Sequence, residues 1–106
     1  MPPVMAPLAD PNAKSNESVQ ESLSSILLLV SLALLEGVEK HENAMTKIAK
    51  AVVKDGGMEY SNGVIDSIAY LRDRVGVPRD MKLPAARQLR AHLNWALSKI
   101  LAVQDS

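Results

Sequence analysis

The chain contains no cysteine. Disulfides, thiolate metal sites and cysteine nucleophiles are therefore excluded, and the redox compartment is left open. It contains no phenylalanine either, and aromatic residues make up 3% of the whole: one tryptophan and two tyrosines. A core must then be built from Leu, Ile, Val, Ala and Met, a composition that suits helix packing better than a β-sandwich. Charge of one sign is also missing. Twelve basic side chains balance twelve acidic ones, for a formal net charge of zero. The molecule as a whole exerts little long-range attraction on nucleic acid or anionic lipid.

What is present is ordinary for a globular chain: 106 residues, 47% hydrophobic and 23% charged. That length supports one core and one domain. The longest apolar stretch, "LSSILLLVSLALLEGV", is uncharged from Ser22 to Leu35 and bounded by Glu21 and Glu36. It falls short of the roughly 20 apolar residues that span a bilayer. Its upstream flank carries Asp10, Glu17 and Glu21 against a single Lys14, the wrong sign for a signal peptide. A buried helix is favoured over a membrane-associated one or a processed signal, and with it a soluble intracellular protein.

Residues 1–15, with four prolines and no periodicity, read as a disordered or extended arm. The pattern then predicts an all-α bundle of three to four antiparallel segments, with helices at about 16–36, 38–54, 62–75 and 84–103. Ser15 or Asn16 is the expected first N-cap. The first helix is apolar around nearly its whole circumference, as a helix surrounded by others would be. Val38, His41, Met45, Ile48 and Val52 form a seam spaced 3, 4, 3, 4, with Leu34 one step back, so the first two helices could be one rod passing through Gly37. Gly56 or Gly57 can supply the left-handed cap that ends it. A loop, "GGMEYSNG", follows, with Ser61 or Asn62 capping a third helix that places Val64, Ile68, Leu71 and Val75 on one face. Gly76 and Pro78 stop that helix, and Pro84 opens the last, where Ala86, Leu89, Leu93, Ala96, Ile100 and Val103 form a heptad seam.

Two features of the last segment are candidates for contact. Trp95 falls opposite the seam, beside Ala91, Ser98 and Ala102. Trp95, Ala91 and Ala102 are therefore candidate partner-binding residues, the alternative being that another helix of the same chain covers the tryptophan. Arg79 and Lys82 in the preceding turn, with Arg87 and Arg90 at i, i+3 on the helix, could hold an anion near the helix N-terminus. No phosphate loop and no base-stacking aromatics accompany them, and pairing with the acidic first half is the plainer explanation.

Catalysis and cofactors find little support. His41 and His92 are the only histidines; His41 has Met45 one turn on, but no haem-attachment motif or second ligand cluster accompanies it. Two histidines without cysteine do not make a tetrahedral zinc site. No catalytic residue, metal site, cofactor or small-molecule substrate is expected, and no nucleophile elbow or nucleotide-binding loop is present. The expectation is a non-enzymatic structural or interaction protein, either a small helical oligomer or a subunit of a larger assembly with a protein partner. The alternative is an anion-binding module for a nucleic acid backbone or an anionic membrane.

Overall fold

The computed structural model describes residues 11–75 and 84–106. They form helix α1 (Pro11–Glu36), a 3₁₀ turn (Val38–His41), α2 (Glu42–Lys50) continued by a π-turn (Ala51–Asp55), α3 (Gly57–Arg74) and α4 (Pro84–Asp105). No strand occurs among the described residues. The all-α bundle expected from the aliphatic composition is the fold observed.

The structure differs from expectation at the starts of the first and third helices, and at Gly37 it decides between one rod and the separate helices at 16–36 and 38–54. α1 begins at Pro11, ahead of the expected Ser15 or Asn16. Proline is compatible with a first turn, where no backbone donor is required. Residues 11–15 therefore belong to the helix, and the rest of the expected arm, residues 1–10, lies outside the described residues. The rod through Gly37 is broken. Gly37 has φ of 104°, and its N–H donates to the Ala33 carbonyl at 2.8 Å, ending α1 before the chain turns into the 3₁₀ segment. A residue with a β-carbon rarely adopts that φ. Finally, "GGMEYSNG" is not a loop: the helix already runs from Gly57, itself at φ 88°. Ser61 is no cap. It is fully buried inside the helix and donates backward to the Met58 carbonyl at 3.1 Å.

The directions of the helices follow from side-chain pairs. Gln104 reaches Ser61 and Arg72 reaches Asn94, so α3 and α4 are antiparallel. Tyr60 donates to the Ser18 carbonyl at 2.7 Å, while Leu23 lies with Ser67 and Leu71, so α1 and α3 run the same way. α4 packs against all of the other helices. The centre contains Ile26 and Val30 of α1, Met45 and Ala49 of α2, Val52 of the π-turn, Val64 and Ile68 of α3, and Leu93, Ala96, Leu97 and Ile100 of α4. Each large aliphatic side chain in this set stabilises the fold by about 1.5–3 kcal/mol relative to exposure. The expected seams of α3 and α4 supply most of their share. The α2 seam is shifted: Met45 and Val52 are buried, but Ala49 stands where Ile48 was expected, and Leu34 is 38% exposed.

Candidate functional site

α1 carries the most unusual surface. Its core edge is Ile26, Val30 and Ala33, each no more than 1% exposed. On the opposite side Leu28 is 62% and Leu35 82% exposed, with exposed Ser24 and Ser31 between and before them. Positions 24, 28, 31 and 35 are spaced 4, 3, 4 and so share one face of the helix. No charged residue interrupts α1 between Glu21 and Glu36. The hydroxyl of Ser31 donates to the Leu27 carbonyl at 3.0 Å, which leaves this face without a free donor at that position. Over Ser18–Glu36 the mean hydropathy is 1.7, yet only 17% of the apolar window is buried, and by length and composition alone the segment could cross a membrane. The expectation of a helix surrounded by others is thus corrected: α1 buries Ile26, Val30 and Ala33, holds Leu23, Leu27 and Leu29 partly buried against the core, and leaves Leu28 and Leu35 exposed.

Beside this face lies a shallow groove between α1 and α3, with a volume of about 330 Å³, lined by Leu23, Asp66, Ser67, Tyr70 and Leu71. Tyr70 is 62% exposed, and the Arg74 guanidinium sits 5.7 Å from its ring centroid. The pair stiffens the rim of the groove through a cation–π contact.

The residues singled out in the last segment are distributed as follows. Trp95 is half-buried, and its indole N–H donates to Glu42 Oε1 at 2.7 Å. Its ring meets His92 edge-on, centroids 6.4 Å apart. Ala91 and Ala102 are exposed on the same helix. Arg79 and Lys82 lie outside the described residues. Arg87 is exposed, whereas Arg90 is half-buried and donates to the Val75 carbonyl at 3.1 Å. That bond satisfies a carbonyl at the end of α3, a helix terminus where a cation is favourable.

Several other polar side chains are engaged in structure. His41 Nε2 lies 2.7 Å from Glu36 Oε1, and His92 Nδ1 donates to the Gln88 carbonyl at 2.7 Å. Among the described residues no three His, Cys, Asp or Glu side chains gather into a metal-binding group. Ser22 hydrogen-bonds the Tyr60 hydroxyl, and Ser67 and Ser98 donate back to carbonyls four residues earlier. Two tertiary links had no signal in the spacing. Lys99 joins Trp95 on Glu42 at 2.9 Å, and Gln104 Nε2 reaches both Ser61 Oγ at 2.8 Å and Asn62 Oδ1 at 3.0 Å. Both connect helices far apart in sequence, so no local pattern announces them. Comparison with protein-family models, with curated proteins and with solved structures finds no match to this chain.

Proposed function

We propose that the protein is a non-enzymatic interaction protein, a small helical oligomer or a subunit of a larger assembly, and that the outer face of α1 is its contact surface. The observation that carries this reading is the exposure of Leu28 and Leu35 on a helix whose apolar window is only 17% buried. Exposed large apolar side chains gathered on one uncharged helix face are the kind of patch that marks contact sites. The back-bonding serines, and histidines already engaged with Glu36 and the Gln88 carbonyl, favour a structural over a catalytic role. Anion binding is the weaker alternative, since Arg90 is committed to the Val75 carbonyl.

The test is capture from the native source with the tagged chain and with its Leu28→Glu/Leu35→Glu variant, followed by mass spectrometry. A bound protein, or a second copy, that the double variant loses is the expected result. Identical retention by both, with both folded by circular dichroism, would exclude the α1 face as the contact.

A further inference from the structure

We infer that Met58 is a site of oxidation to the sulfoxide, and that the oxygen it gains is captured by the side-chain amide of Gln104. Two methionines lie among the described residues, and the fold separates them. Met45 is fully buried in the core, whereas Met58, at the start of α3, is 63% exposed. Thioether oxidation follows exposure. The oxidant is hydrogen peroxide. A lone pair of Sδ attacks one peroxide oxygen, and the S–O bond forms as the O–O bond breaks. The departing hydroxide takes the proton of the transferred oxygen and leaves as water. Sulfur loses two electrons and the peroxide gains them. Methionine sulfoxide reductases reverse the change.

The neighbours of Met58 give the oxidised form a consequence. Gln104 Nε2 lies 3.6 Å from Met58 Sδ, 2.8 Å from Ser61 Oγ and 3.0 Å from Asn62 Oδ1. Ser61 gives its own proton to the Met58 carbonyl at 3.1 Å, so its Oγ meets Gln104 as an acceptor. Three acceptors thus compete for the two hydrogens of one amide, and the thioether is the weakest of them. Oxidation reverses that rank, because the sulfoxide is polar. An oxygen one bond length from Sδ falls within hydrogen-bond distance of Nε2 without movement of the backbone. Asn62 is exposed and can take water in place of Gln104. Ser61 is fully buried and cannot, so losing its donor would cost more. Gln104 therefore keeps Ser61, releases Asn62 and takes up the sulfoxide. The turn that carries Met58 is already fixed to α1 through the Tyr60 hydrogen bond to the Ser18 carbonyl. Oxidation of Met58 consequently fastens the end of α4 more firmly to the start of α3, whereas oxidation of a core methionine such as Met45 would disrupt packing.

The test uses the full chain, treated with dilute hydrogen peroxide and digested with trypsin. Cleavage after lysine and arginine places Met45 alone in the peptide 41–47 and Met58 alone in the peptide 55–72. The Met58 peptide should gain one oxygen at least about tenfold faster than the Met45 peptide, which reacts only when the fold opens. Equal rates would overturn Met58 as the site. In nitrogen-15 NMR spectra the Gln104 side-chain amide should shift on oxidation, and backbone amide exchange over residues 101–104 should slow at least about twofold. Met58→Leu should abolish both effects of peroxide. Gln104→Ala should leave the oxidation rate of Met58 unchanged and remove the slowing. A Gln104 amide that does not move, or exchange that is unchanged or faster after oxidation, overturns the capture by Gln104.

Discussion

The indole N–H of Trp95 donates to Oε1 of Glu42, 53 residues earlier, at 2.7 Å. Lys99, one turn on from Trp95, reaches the same oxygen at 2.9 Å. Together they tie the start of α2 to the middle of α4, and they hold the Glu42 carboxyl below its ordinary range. The Trp95 hydrogen bond is the largest cause, the Lys99 bond and charge add to it, and partial burial opposes both. A carboxyl lowered on folding contributes stability above its unfolded pKa and loses it as pH falls through the folded one. Thermal unfolding should therefore show a larger fall in Tm from about pH 6 to about pH 3 for the unmodified chain than for Glu42→Gln. Trp95→Phe should return the Glu42 carboxyl toward ordinary values in a carbon-13 NMR titration. Equal pH profiles for the two proteins would show that the link contributes nothing to folding.

α1 presents two apolar sides with opposite fates, and point substitutions should separate them. Ile26 is fully buried among residues of the other helices. Ile26→Ala should cost about 2–5 kcal/mol in urea unfolding, the sum of lost transfer energy and the cavity left behind. Leu28 is 62% exposed. Leu28→Ala should stay within about 0.5 kcal/mol when measured on dilute protein. A large cost at Leu28 under those conditions would mean that the same chain covers it.

Much of this fold was legible in the sequence, and the failures are instructive. The α3 and α4 seams were readable because each helix presents one apolar stripe to one core, so period and burial coincide. α1 defeated the same reasoning. Its circumference is apolar nearly throughout, and periodicity cannot say which side of such a helix the rest of the chain covers. The break at Gly37 was ambiguous because glycine is tolerated in helices at a cost of only about 1 kcal/mol. Its positive φ depends on the fold-back of the 3₁₀ turn and α2 onto α1, a tertiary matter. Ser61 and Asn62 carry the composition of a cap, but burial against α4 and the Gln104 side chain overrides that local preference. Trp95 lies opposite the seam on the helix wheel but packs half-buried against the core, and nothing in the spacing identified Glu42 as the group that receives its N–H.

Arginines 87 and 90 are close in sequence and different in consequence. Arg90 supplies a hydrogen bond to the Val75 carbonyl, where α3 has ended and the backbone has turned extended. Arg87 is exposed. Arg90→Ala should destabilise the chain by about 1–2 kcal/mol, the range for a charged donor lost from a partly buried carbonyl. Arg87→Ala should change stability by less than about 0.5 kcal/mol. Paired denaturation curves decide this, and equal effects would remove the structural role assigned to Arg90.

Ser61 is the one fully buried polar side chain among the described residues. Its hydroxyl donates to the Met58 carbonyl and accepts from Gln104 Nε2, so both of its roles are used. Ser61→Ala deletes that acceptor while Gln104 keeps Asn62 Oδ1 as a second one. The cost should be about 0.5–1.5 kcal/mol, the net worth of a satisfied hydrogen bond. Ser61→Leu is a different insult, because the site has no measurable exposure and must expand to admit the longer chain. Overpacking of that kind costs about 1–3 kcal/mol. Gln104→Ala on the Ser61→Ala background should then add less than it does alone, since the two side chains share one bond. A double-mutant cycle by chemical denaturation measures that coupling. Strict additivity would show that the Ser61–Gln104 bond does not help to hold α3 and α4 together.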